Sequence, residues 1–281
     1  MGKGSAGTVA AIVIALLVVF APISSIAADN TVYNLPWEKF NLQVGAFFAA
    51  LDDKVQVGVG GAGVLIDVED TLGMEAQNTS FRVGGSYRIG EKRRHRVDLE
   101  YFYFNRDSNK TLGQNITVDN VLFPTGTNVD ATFNFQILKA AYSYSFFQDD
   151  RMDLAASIGL FVMPLKFEIK ASGAGGKSED LKFTAPLPVL GLRGDFAITP
   201  RWFFRSKLEV FYLEYQNFTG ALMDTNLAVE YNPWKNWGFG FGVESFKLKL
   251  SAEGNDYPNI DFNGDVKMSF IGATLYARYF F

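Results

Sequence analysis

The chain predicts an all-β fold: an antiparallel transmembrane β-barrel of about ten strands, eight being the alternative count, with short turns at one end and longer loops at the other. Three observations carry this. After Asp29 no stretch reaches the roughly 18 uncharged apolar residues that a membrane-crossing helix requires. Apolar and polar residues alternate with the period of a strand in segment after segment. The connections between those segments alternate between short and long. Composition agrees, since 27 Phe, 12 Tyr and 27 Gly in 281 residues suit strands and tight turns better than helices.

The N-terminus is read apart from the barrel. After Lys3 no charge occurs until Asp29, and VAAIVIALLVVFAPISSIA is apolar. Ser25 and Ala27 are small residues three and one before a cut, so residues 1–27 predict a cleavable signal peptide, with an uncleaved anchor as the alternative. A periplasmic segment over 28–39 and a barrel over 40–281 follow. Losing Lys3 from the 26 basic residues leaves 25 against 30 acidic ones, a mild and scattered balance that gives no nucleic-acid site. With no cysteine there is no disulfide framework and no thiolate metal site.

Ten segments alternate in turn: Phe40 to Ala50, Thr79 to Ile89, Arg96 to Arg106, Val129 to Phe147, Met152 to Ile169, Leu181 to Ile198, Trp202 to Tyr215, Thr219 to Tyr231, Trp237 to Leu250 and Asp265 to Phe281. In RVDLEYFYF, Val97, Leu99, Tyr101 and Tyr103 share one face and Arg96, Asp98 and Glu100 the other, with Phe102 as the exception. In RSKLEVFYL, Leu208, Val210 and Tyr212 oppose Arg205, Lys207 and Glu209. A soluble sandwich would alternate in the same way. The connections separate the two. They are short at IGEKRRH, FQDDR, ITPRW and NPWKNW, and mostly longer at 51–78, 107–128, 170–180 and 251–264, the exception being Gln216 to Thr219. That alternation, with an even strand count, is the pattern of bacterial outer-membrane barrels, whose short turns are periplasmic.

The aromatic residues predict the same orientation. An indole has an apolar body and a polar N–H, so it settles where hydrocarbon meets water. Trp37, Trp202, Trp234 and Trp237 all fall at the predicted periplasmic rim, joined by Phe146, Phe147, Tyr279 and Phe281. In the final TLYARYFF the odd positions Leu275, Ala277, Tyr279 and Phe281 are apolar and face lipid, and this strand must pair with the first to leave no edge in hydrocarbon.

Taken together, the alternation, the ending and the stretches GVLIDVEDTLGM (63–74) and FRVGGSYRIGEKRRHRVDLEYFYFNR (81–106) resemble small Gram-negative outer-membrane barrels of the OmpA-like and OmpW-like class, in a subgroup without a firm biochemical role. The resemblance implies a barrel fold and an outer-membrane location, and carries over no functional residue. The closing Tyr279 and Phe281 resemble the signal read by the barrel assembly machinery.

Candidate sites follow from the faces. The inward charges Arg82, Arg96, Asp98, Glu100, Arg205, Lys207, Glu209, Glu244 and Arg278, with Arg88, Arg106 and Glu230, predict an ion-paired lumen, because a ten-strand barrel is nearer to filled than to open. A narrow, porin-like pore is the alternative. Pro164, Pro186 and Pro188 predict a seam without ladder donors: if the hairpin is centred on residues 175 and 176, Pro164 faces Leu187. That seam is either a lateral portal for a lipid-like molecule or a bulge, which an apparent phase change in LKFTAPLPVLGLRGDF favours.

Enzymatic chemistry finds little support. The one histidine, His95, lies in a predicted periplasmic turn, far from an outer-rim base. Asp67, Glu69 and Asp70 could act alone as carboxylates or hold a loose divalent cation against lipopolysaccharide, although their spacing matches no standard loop. GVGGAG (58–63) fits a dinucleotide fingerprint only formally, since no βαβ unit surrounds it. The expectation is a non-enzymatic outer-membrane protein with no cofactor and no metal, in contact with membrane lipid and lipopolysaccharide, whose ligand the sequence does not specify. A structural or adhesive protein acting through its outer loops is the alternative, and a carboxylate-only hydrolase a further one.

Overall fold

The computed structural model describes residues 37–57, 65–118, 121–172, 176–257 and 260–281, with side chains at 254–263 excepted. The stretch expected as a signal peptide, most of the expected 28–39 segment and GVGGAG lie outside the described residues. Ten long strands form the wall: β1 Phe40–Val57, β2 Gln77–Ile89, β3 His95–Phe104, β4 Asn128–Gln148, β5 Met152–Ala171, β6 Ser178–Ala197, β7 Trp202–Tyr215, β8 Phe218–Tyr231, β9 Trp237–Tyr257 and β10 Ile260–Phe280. Each pairs antiparallel with the next, and β10 returns to β1 from Asn41↔Phe280 to Val57↔Gly264, so the sheet closes into a barrel. Closure satisfies the backbone groups that hydrocarbon cannot. At the short-turn end Lys39 and Phe40 donate their amides to the Phe281 carbonyl, and the Phe40 and Phe281 rings stack at 5.2 Å.

The strands are taller than the sequence suggests. Residues 51–57 and 251–264, expected as loops, are mostly wall. Leu51, Val55, Leu250, Ala252, Val266 and Met268 point inward and are buried, while Asp52, Lys54, Asp265 and Lys267 point outward. Charges that look like loop residues are the wet outer face of strands that have already left the hydrocarbon. The expected loop 107–128 is likewise partly strand: Asp107–Thr111 extends β3 along β4, and Ile116–Val118 pairs with Val121–Phe123 as a small hairpin.

Polarity inverts along most of the long strands. Near the short-turn end of β5, Leu154, Ile158, Leu160 and Val162 point outward, while Asp153, Ala155, Ser157 and Gly159 line the interior. Further along, Lys166, Glu168 and Lys170 point outward, and Phe161, Met163, Leu165, Phe167 and Ile169 are buried inside. β6 inverts in the same way, from Arg193 and Asp195 inside to Val189, Leu187, Ala185 and Phe183. The barrel is therefore a membrane belt with a polar interior, continued by a water-facing barrel with an apolar core. This inversion is what resembled a phase change. The β5–β6 ladder runs unbroken from Lys170↔Ser178 to Met152↔Phe196, with no bulge.

Candidate functional site

The interior has three tiers. In the lowest, Arg205 reaches Glu38 at 3.0 Å, Asp195 at 3.1 Å and Glu230 at 2.5 Å, and Arg278 bridges the same Glu38 and Glu230. Arg88 pairs with Asp153 at 2.6 Å, and Arg193 adds a second contact to Asp153 at 3.2 Å. Arg96 lies between Asp98 and Asp195. The second tier joins Arg82 to Glu244 and Glu100, Lys207 to Glu209, and Lys139 to Asp224 at 2.5 Å and Glu244 at 3.2 Å. Pairing of this density is required, because an isolated buried charge is prohibitively costly. A cavity of about 120 Å³ lies among these groups, polar and large enough to hold water.

The third tier is dry. Phe47, Phe102, Phe104 and Phe270 meet edge to face or tilted, with centroids 5.5 to 6.2 Å apart, and Phe246 stacks on Phe270 at 4.8 Å. Cations join this tier to the one below. The Arg82 guanidinium lies 4.2 Å from the Phe102 centroid and 4.5 Å from Phe47, and the Lys139 ammonium 4.9 Å from Phe161. Above, Ile66, Val68, Leu72 and Met74 of the first long loop, with Ile116 and Phe123 of the small hairpin, add buried apolar cover.

All nine predicted lumen charges face the interior. Phe102, the exception to alternation in sequence, is not out of phase: it points inward into the apolar tier. Sequence reasoning missed Glu38, Lys139, Asp153, Arg193, Asp195 and Asp224. Their signal was parity, since Lys139 in QILKAAYSY and Arg193 with Asp195 in LGLRGDF are charges on the inward count of otherwise apolar strands.

Three tryptophans, Trp202, Trp234 and Trp237, are half exposed at the short-turn rim, with Trp237 against Tyr279 at 5.2 Å. Trp37 does not join them. It is 2% exposed, donates its indole N–H to the Asp149 carbonyl and lies 5.8 Å from the Arg88 guanidinium, so it belongs to the floor of the interior.

The prolines adopt another register from the expected one. Pro164 lies opposite Thr184, Pro186 opposite Val162 and Pro188 opposite Leu160. Opposed residues of an antiparallel pair share a face, and Pro164 and Leu187 point to opposite faces. All three prolines point outward near the level where the wall turns from apolar to charged.

The acidic cluster of the first long loop does not assemble around a common cation. Asp67 takes the Lys54 ammonium at 2.8 Å and the Asp70 amide, while Glu69 takes Arg106 at 2.5 Å and the Asp53 amide at 2.9 Å. Burial pushes Glu69 above the ordinary carboxylate range. Burial acts the same way on Asp67, yet the Lys54 hydrogen bond and charge, together with the Asp70 and Glu69 amides, outweigh it and hold that carboxyl low. Among the described residues no three potential metal ligands come together. His95 lies at the short-turn rim, its Nδ1 2.6 Å from the Tyr142 hydroxyl.

No family profile matches the chain, and no curated protein is similar to it in sequence. Solved structures are similar in fold. The outer-membrane protease OmpT from Escherichia coli matches with a TM-score of 0.55 at 8% identity, covering 92% of this chain and 99% of that one. The toluene transporter TbuX of Ralstonia pickettii gives 0.38 at 8% identity, over 87% and 90%. Ail, the attachment invasion locus protein of Yersinia pestis, gives 0.34 at 10% identity, over 85% and 99%. These neighbours are bacterial outer-membrane barrels of differing activity, and at such identity the likeness speaks for fold alone.

Proposed function

We propose that the protein is a non-enzymatic integral barrel of the bacterial outer membrane, akin to the OmpA-like and OmpW-like class, whose interior is plugged. In this reading a signal peptide exports it, the short turns are periplasmic, and the projecting barrel with its loops is the working surface for lipopolysaccharide or host contacts. The observation that carries the reading is the stacked filling: nearly balanced charges below, close-packed phenylalanine rings above, and loop side chains over them. An ion crossing this tier would have to leave water for hydrocarbon, which is prohibitive. Against catalysis stands the position of His95 at the turn end and the engagement of Asp67 and Glu69 by Lys54 and Arg106. The test is single-channel current across a planar bilayer holding protein whose folding is confirmed by heat-dependent gel mobility. Silence is expected. Discrete, ion-selective steps that shrink on neutralising Arg205 or Glu209 would refute the plug.

A specific observation favours a second reading, lateral passage of a lipid-like molecule at the prolines. Pairing of β6 with β7 ends at Leu190↔Val210, although β7 continues to Tyr215 alongside β8. Pairing of β4 with β5 passes from Phe135↔Leu165 to Leu138↔Val162, beside Pro164. Both breaks lie close to residues without an N–H. Replacing Pro164, Pro186 and Pro188 with valine should abolish uptake of an apolar ligand, and unchanged uptake would exclude the portal.

A further inference from the structure

The lipid-facing wall has a dent. Gly85 points outward on β2 between Leu42 of β1 and Leu99 of β3, and its missing side chain leaves an apolar groove walled by Leu42, Tyr87, Leu99, Tyr101 and Leu138. A Cβ at Gly85 would lie 3.0 Å from the Asn41 carbonyl oxygen, so glycine is also what lets β1 and β2 approach here. The groove lies within the apolar belt. Its occupant must therefore be apolar over most of its length.

The lower end of the groove opens onto cations. Gly90 lies five residue steps beyond Gly85, which at about 3.3 Å per residue and a tilt near ~40° is roughly 13 Å. There the β2–β3 turn carries Lys92, which is exposed and forms no ion pair among the described residues. Lys39 stands beside it, its ammonium 5.8 Å over the Tyr87 ring that walls the groove. Glu91 is the one carboxylate of that turn. An apolar slot with unpaired cations just outside the hydrocarbon matches an acyl chain with an anionic headgroup.

We infer that this groove and the Lys39 and Lys92 rim form a binding site for an anionic phospholipid of the leaflet at the short-turn face. One acyl chain lies over Gly85 and the phosphate meets the two cations. The site rests on the barrel spanning a membrane and does not depend on whether the lumen conducts.

The test uses the full-length mature barrel in bilayers of phosphatidylcholine containing a minor fraction of phosphatidylglycerol. The readout is the ratio of the two lipids retained through detergent extraction, measured by native mass spectrometry. Wild type should retain phosphatidylglycerol preferentially. Neutralising Lys39 or Lys92 to glutamine should lower that preference about fivefold each, the factor that corresponds to about 1 kcal/mol per cation near an anionic surface. Val83→Phe, which fills the groove from a lipid-facing position, should lower retention of both lipids while heat-dependent gel mobility stays that of a folded barrel. Equal retention of the two lipids by wild type, or a preference indifferent to these variants, would overturn the site. A dimer lost on Val83→Phe would overturn it too, assigning the groove to a second copy of the chain.

Discussion

Replacing Lys139 with methionine tests whether the lumen is dry enough to count as a plug. The Lys139 side chain is 4% exposed, and its ammonium holds Asp224 at 2.5 Å and Glu244 at 3.2 Å, both carboxylates 1% exposed. Methionine keeps most of the volume and removes the charge. Glu244 retains Arg82, but Asp224 has no second ion-pair partner among the described residues. The loss therefore falls mainly on one stranded carboxylate, at the lower end of the ~3–5 kcal/mol that breaking a buried pair costs. About 3 kcal/mol is roughly a hundredfold to two hundredfold in the folding equilibrium. Urea unfolding in liposomes, followed by tryptophan fluorescence and by heat-dependent gel mobility, measures it. Adding Asp224→Asn should recover at least ~1 kcal/mol, because the two changes share one interaction. A single-variant loss under about 1 kcal/mol, or a double variant that is merely additive, would mean that water already screens these groups and the plug is open.

Other outcomes follow from the same packing. Phe102→Ala should cost ~3–5 kcal/mol and, by removing the ring against Arg82, introduce brief conducting events in a planar bilayer. Gly240→Val places a Cβ 2.1 Å from the Tyr276 ring, so Tyr276 must abandon its 2.8 Å hydrogen bond to Glu230; a loss of ~1–3 kcal/mol is expected in urea unfolding. The first long loop should survive mild acidification. Glu69 has a raised pKa in the folded loop, so the folded form binds its proton first and stability rises as pH falls towards the ordinary value of 4.5. Asp67, with a lowered pKa, keeps its contribution until pH falls below its ordinary value of 3.8. Hydrogen exchange at the Leu51 and Met74 amides should show no loss of protection between about pH 7 and pH 5, and Glu69→Gln should lessen any gain in protection on acidification.

Strand number, order and facing were legible because alternation and connection length are local and repeat ten times. The lumen charges were legible wherever a polar face ran for several residues, as in Arg205, Lys207 and Glu209. They were illegible where one charge interrupted small or apolar neighbours, as at Lys139 and Asp195, since the partner lies on another strand. Trp37 was placed at the rim by chemical type, whereas its environment depends on Arg88, Arg93 and Asp149, which the chain brings together only on closure. Strand tops were cut short because Asp52, Lys54 and Glu253 read as loop when only one solvent, lipid, is imagined outside the wall. The proline register failed on a count of loop residues, where the parity of the two faces was the stronger constraint.

The inversion of polarity along the strands bears on handling the purified molecule. A detergent micelle would clasp only the lower belt, from Leu154 to Val162 on β5, and leave the charged collar of Lys166, Glu168 and Lys170 bare. That collar has its own apolar interior and owes nothing to the detergent for its shape. Short-chain amphiphiles should therefore keep the particle dispersed, with the exposed collar free to build the contacts of a crystal lattice.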